Sequence, residues 1–144
     1  MRFRRRARDL ALETLYRWDI RGEKVKKLFE EAVEEKGIKR KEVIEYAGSL
    51  LDTVMENLTE IDSLISQHLE DWRFDRLGYI ERNALRLGTA ELLYMNPPDP
   101  GRVFSDYIDL VKKYADQKAG RFFNGVLSKI YRSQKATSSV QRSG

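Results

Sequence analysis

Five guanidinium groups fall within the first eight residues, Met1-Arg2-Phe3-Arg4-Arg5-Arg6-Ala7-Arg8, and their chemistry is anion recognition. The planar fork of arginine matches phosphate oxygens two at a time. An amphipathic pattern follows without a break, so the cations crowd the end of a helix that already carries partial positive charge from its unpaired N–H groups. Each such cation costs about 0.3 kcal/mol or more. A polyanion outside the helix offsets that cost, which makes RNA or DNA the leading partner. Taking the five arginines from 27 Lys+Arg leaves 22 against 23 Asp+Glu, so residues 9–144 are nearly neutral and the positive balance resides in the arm. That distribution suggests a defined contact on a neutral body; the plain alternative is a solvated basic terminus that serves solubility.

Catalytic chemistry lacks its parts. His68 is the only histidine, which removes two-histidine metal sites and leaves a Ser-His-Asp arrangement dependent on one residue. Gly120 and Gly125 have the spacing of phosphate-loop glycines, but Val126-Leu127 stands where Lys-Ser/Thr is required, and the pair lies in a helical stripe. Glu30-Glu31 and Glu34-Glu35 fall on a polar helix face, where solvation explains them. No catalytic residue, cofactor or metal is expected.

Seven helical stripes can position the arginines. Phe3, Ala7, Leu10, Ala11, Thr14, Leu15 and Trp18 recur at three- and four-residue steps and predict a first helix ending near Gly22. Leu28, Phe29, Ala32 and Val33 predict a second, closed by Gly37, and Val43 to Leu58 a third. Thr59 is the expected N-cap of a fourth, which ends before Trp72. The span from Leu77 to Met95 is apolar nearly all round and reads as the central helix. Asn96-Pro97-Pro98-Asp99-Pro100-Gly101 interrupts the pattern, after which Val103 to Tyr114 and Ala119 to Tyr131 predict the last two helices. Nothing alternates like a strand. The fold class is therefore all-α, a seven-helix bundle of two halves at about 9–72 and 73–132, with a polar tail at 133–144 expected to be disordered. Without cysteine, a signal-like apolar start or a stretch of about 20 apolar residues, the chain reads as cytoplasmic, with no membrane partner.

Arg5-Arg6-Ala7-Arg8-Asp9-Leu10-Ala11-Leu12-Glu13-Thr14-Leu15-Tyr16-Arg17-Trp18 resembles the opening of the NusB family of bacterial transcription antitermination factors. Arg121-Phe122-Phe123-Asn124-Gly125-Val126-Leu127-Ser128-Lys129 resembles its closing motif, and Glu81-Arg82-Asn83-Ala84-Leu85-Arg86-Leu87-Gly88 its central helix. The likeness runs in order from about Arg4 to Ile130. It implies a single helical domain over 1–132, built of two packed three-helix-like halves, and a non-enzymatic role in binding the boxA element of nascent ribosomal RNA. It further implies that NusE, a small ribosomal subunit protein, binds alongside, and that other Nus factors and RNA polymerase assemble around the pair. A homodimer is also possible. The alternatives are a helical interaction scaffold with a basic arm, or a module related to the RNA-binding part of RNA cytosine methyltransferases.

Arg4, Arg5, Arg6 and Arg8 match the family's arginine-rich arm and are expected to contact the RNA backbone, lying outside the core so that their removal leaves stability unchanged. Tyr16, Arg121 and Phe122 are the groups expected to stack on bases, with core filling the competing role for Phe122. Asn124 carries an amide suited to a base edge, and Lys113 and Lys118 flank the turn before it. By resemblance, Glu81 and its neighbour Arg82 meet NusE. Gly125 in mid-helix suggests close approach of another helix or of a ligand, with packing the plainer reason. Ala115 stands where the family often has glycine, which raises the question of the turn geometry there.

Overall fold

A computed structural model of the chain describes the backbone of residues 2–70 and 74–143, and the side chains of 3–70 and 74–135. Seven α-helices appear among them: α1 (Arg2–Arg21), α2 (Val25–Lys36), α3 (Lys41–Glu56), α4 (Leu58–Gln67), α5 (Tyr79–Tyr94), α6 (Pro100–Tyr114) and α7 (Gln117–Ser143), with one 3₁₀ turn at Phe74–Arg76. The first three helices pack together, as do the last three, while α4 packs chiefly on α5 and α1 touches both groups. The expected boundary between the halves, near Trp72, lies outside the described residues.

The helix ends follow local chemistry. Gly37 takes a left-handed φ of 64° and returns its N–H to the Glu34 carbonyl, a conformation glycine reaches without steric cost. Pro100 opens α6 at a position where its missing N–H is no loss, and the Asp99 carboxylate accepts from the Arg102 N–H. The fourth helix starts two residues earlier than an N-cap at Thr59 would place it, with Asn57 in the N-cap position. Asn57 alone separates it from α3, and its amide donates back to the Thr53 carbonyl instead of capping forward. At the other end of the chain the polar tail does not end the last helix at 132, since α7 runs on to Ser143. From Ser133 to Ser143 no Gly or Pro interrupts it, and each added residue gains one hydrogen bond on a helix already nucleated.

The central position of α5 explains its composition. Residues 83–92 are all buried, because α1, α3, α4, α6 and α7 surround this helix. Gly88 lets α7 come close: a Cβ there would lie 2.9 Å from a methyl of the buried Leu127. Four polar residues share that buried span; Asn83, Arg86 and Glu91 are matched, while the Thr89 hydroxyl has no hydrogen-bond partner. Arg86 clamps Asp62 of α4 through Nε (2.8 Å) and Nη2 (2.9 Å), gives Nη1 to Asn83 and Asp19, and lies over the rings of Trp18 and Phe74.

Glu91 makes the second buried junction. Arg8 donates to it through Nε (3.0 Å) and Nη2 (2.5 Å) and to Asp106 through Nη1 (2.7 Å), while the hydroxyls of Tyr46 and Tyr107 donate to the same carboxylate. Burial works against the guanidinium charge, but the hydrogen bonds and the charge of Glu91 more than reverse it and hold Arg8 cationic. Burial, together with the Glu91 hydrogen bond, pushes the Tyr46 phenol up to about 12.

Candidate nucleic-acid interface

The arm is the start of α1 itself, so its side chains radiate at 100° steps and meet different surroundings. Arg8 points inward and is 1% exposed; the expectation that it grips RNA is corrected, for its charge is spent on Glu91 and Asp106 of α5 and α6. Arg5 is half-exposed and rests on Asp106 (3.3 Å) and Asp109 (3.2 Å). Arg4 lies over the Tyr46 ring at 5.1 Å. Arg6 is exposed and lines a hollow of about 220 Å³ with Asp9, Lys36 and Ile38. The cations at the wrong end of the helix are thus partly matched from within.

Beyond the arm, Tyr16 is exposed on α1 and meets Tyr79 edge-on at 6.1 Å. It lines a mostly apolar hollow of about 420 Å³ with Leu12, Glu13, Arg17, Ile80 and Tyr114. Tyr114, absent from the residues selected by sequence, is held there by its hydroxyl, which donates to Asp9 at 2.5 Å; burial and then the Asp9 carboxylate raise its pKa. Its signal was the aromatic at the end of the sixth stripe, which reads equally well as core. Lys113 lies over the same ring at 5.1 Å.

A second hollow of about 250 Å³ adjoins the first, since Glu81 and Ala115, which follow Ile80 and Tyr114 in the chain, line it with Gly78, Asp116, Lys118 and Phe122. Phe122 then also lines a third, of about 260 Å³, with His68, Glu70, Arg121, Gly125 and Lys129. The three hollows lie in series, a track from α1 across the start of α5 to the first turns of α7, with the second and third sharing Phe122. Phe122 is half-buried, so it serves the core and the track together. Arg121 and Lys118 are exposed, and Asn124 is exposed with its amide oxygen accepting from Ser128 at 3.3 Å. Ala115 has a φ of −119°, so this turn needs no glycine.

Two further expectations change, at Arg82 and at Gly125. Arg82 pairs with Asp19 (2.8 Å), lies over Tyr79, and its side chain is 12% exposed, so it ties α5 to α1 and offers little to a partner. Glu81 stays at the surface of the second hollow, in the first turn of α5, where a carboxylate also suits the helix dipole. Gly125 has no neighbour near its missing Cβ, so helix packing does not explain it. Gly125→Ala is expected to raise stability by about 0.5–1 kcal/mol, as alanine does in an open helix position, and thermal unfolding checks this.

No helix among the described residues is long and apolar enough to cross a membrane. The NusB family model matches residues 5–132. The transcription antitermination protein NusB of Aquifex aeolicus is 57% identical over 142 residues, covering 99% of this chain and 96% of that protein. Among solved structures, antitermination factors NusB and NusE in complex with double-stranded RNA superpose with a TM-score of 0.89 at 59% identity, covering 92% of this chain and 98% of the other. The solution structure of the Aquifex aeolicus NusB gives 0.83 at 59% identity, covering 96% and 93%. In sequence over nearly its whole length, and in the arrangement of its seven helices, this chain belongs to the NusB family.

Proposed function

We propose that the chain is a non-enzymatic transcription antitermination factor that binds boxA-type single-stranded RNA together with NusE, with other Nus factors and RNA polymerase assembling around the pair. The observation that carries this reading is the series of hollows along this face. Its aromatic and apolar walls at Tyr16, Tyr114, Ile80 and Phe122 suit unstacked bases, and the exposed Lys118 and Arg121 along its edge suit the phosphates between them. Single-stranded RNA is favoured because flat aromatic walls in hollows this shallow reward bases that have left a helix. Glu81, at the middle of the track, is the residue assigned to NusE contact. In the bacterial cytoplasm, where transcription occurs, such a protein works on the nascent strand.

Titration of a boxA-type strand, a scrambled strand and a duplex, each with and without NusE, tests the reading. Tightest binding to the boxA-type strand, strengthened by NusE, is expected; equal affinity for all three defeats the specificity. Tyr16→Ala is expected to weaken that binding by about 1–3 kcal/mol, the worth of one base–aromatic stack, with little change in melting temperature because Tyr16 is 38% exposed. Sedimentation of the free chain tests for a homodimer.

A further inference from the structure

Tyr16 and Trp18 are two residues apart, so they project from nearly opposite sides of α1. On the Trp18 side, α2 and α3 both pack on α1 but touch each other little, and a cleft runs between them. It is a hollow of about 760 Å³ that shares no lining residue with the track. Val25 and Phe29 of α2 form one wall, Leu51 and Met55 of α3 the other, and Trp18 closes the inner side. Gly48 lies on the same wall in the middle of α3, where glycine destabilises a helix relative to alanine. Packing does not require it, since a Cβ there would meet only the Phe29 ring, at an ordinary contact distance of 3.9 Å. What the missing side chain preserves is open space along the cleft. The two rims differ in charge. Lys24 and Lys26 on the α2 side, and Asp52 on α3 with Glu56 one turn on, are exposed and have no ion-pair partner among the described residues. Glu23, which also lines the cleft, is held by Arg21 and Lys27.

We propose that this cleft receives an amphipathic helix of a partner protein. Its apolar side chains sit over Gly48 between Phe29 and Leu51, with lysine or arginine along the flank beside Asp52 and Glu56, and aspartate or glutamate along the flank beside Lys24 and Lys26. A helix suits the shape, because a third helix laid between two splayed ones packs its ridge of side chains into their groove at an ordinary interaxial distance of about 8–10 Å. An extended peptide gains less. Both walls are helices whose N–H and C=O groups are already paired internally, which leaves no edge for a strand to join. Charge complementarity selects the partner further: a helix with one sign on both flanks meets like charge on one rim, and a nucleic-acid backbone meets Asp52 and Glu56. A membrane surface is disfavoured, since interfacial binding needs apolar groups that insert, and the exposed large hydrophobics, Tyr16, Ile20, Tyr79, Tyr94 and Tyr114, line no part of the cleft. RNA binding along the track is independent of this site.

The probe is a stapled helical peptide of about 14 residues, roughly 21 Å long, with leucines at three- and four-residue steps, lysines on one flank and glutamates on the other. Two control peptides keep the leucines and carry lysine, or glutamate, on both flanks. Titrated into the full chain, the two-signed peptide is expected to bind about tenfold more tightly than either control, the worth of two half-exposed ion pairs. Gly48→Leu, which fills the cleft, is expected to weaken that binding by on the order of tenfold or more, without lowering the melting temperature or the affinity for a boxA-type strand. Asp52→Lys with Glu56→Lys, both at exposed positions, makes both rims basic and is expected to move the preference to the glutamate-flanked peptide. No saturable binding, equal binding of all three peptides, binding unchanged by Gly48→Leu, or displacement of the peptide by the boxA-type strand overturns the proposal. Self-association of the free chain that Gly48→Leu abolishes assigns the cleft to a second copy and overturns it too. A chain that binds the two-signed peptide as expected but no RNA upholds the cleft and defeats only the RNA-binding function.

Discussion

Arg8→Ala is expected to lower stability by about 3–5 kcal/mol, because it leaves the buried Glu91 without its cation and Asp106 with only the longer contact to Arg5. That is a large share of the 5–15 kcal/mol by which domains are typically stable. Chemical denaturation measures it directly. Lysine is not expected to rescue the loss, since one ammonium cannot reproduce a fork that meets two carboxylates at once. In the double variant Arg8→Ala with Glu91→Ala the cost is expected to be less than the sum of the two single changes, the sign of a direct coupling. A loss under 1 kcal/mol for Arg8→Ala alone would return the residue to the RNA-binding surface. This reverses the sequence-based expectation that the arm can be neutralised without effect on melting. Tests of RNA contact therefore belong on Arg6, which is exposed, and not on Arg8.

The second large effect is at Arg86. Its removal breaks the two-pronged grip on Asp62 and leaves the Oδ1 of buried Asn83 without its donor, and we expect about 2–3 kcal/mol of destabilisation, less than at Arg8 because Asp62 keeps some contact with water. Asp19 retains Arg82, which limits the damage on the α1 side. Below its lowered melting temperature the variant should bind RNA as wild type does, since Arg86 lines none of the hollows of the track. Reduced affinity at a temperature where the variant is fully folded would show that Arg86 also shapes the track.

The helices were legible because each has a continuous apolar stripe, and α5 stood out because its stripe closes on itself. Helix ends were legible where glycine or proline marked them, as at Gly37 and Pro100, and misplaced at Thr59, where a single-residue break left no room for an ordinary cap. The arm was legible as a cluster of charge but not as a set of directions. Whether an arginine near the N-terminus faces water or the core depends on carboxylates 83 and 98 positions away, and local spacing carries no trace of them. One signal was present: Glu91 and Arg86 sit inside the most apolar helix, and charges there demand partners. Tyr114 joined the track only through the packing of α6 beside α1.

The junction at Arg8 has a consequence for how the protein is made. A ribosome releases the first turns of α1 long before it reaches Glu91 and Asp106, so for most of synthesis the arm has no acidic anchors and a lone short helix is only marginally stable in water. Contacts across 80 to 100 residues must wait for chain closure. The arginines therefore reach their fixed directions only when α6 has emerged, and a nascent or truncated chain presents a loose cationic tail where the finished protein presents an ordered surface.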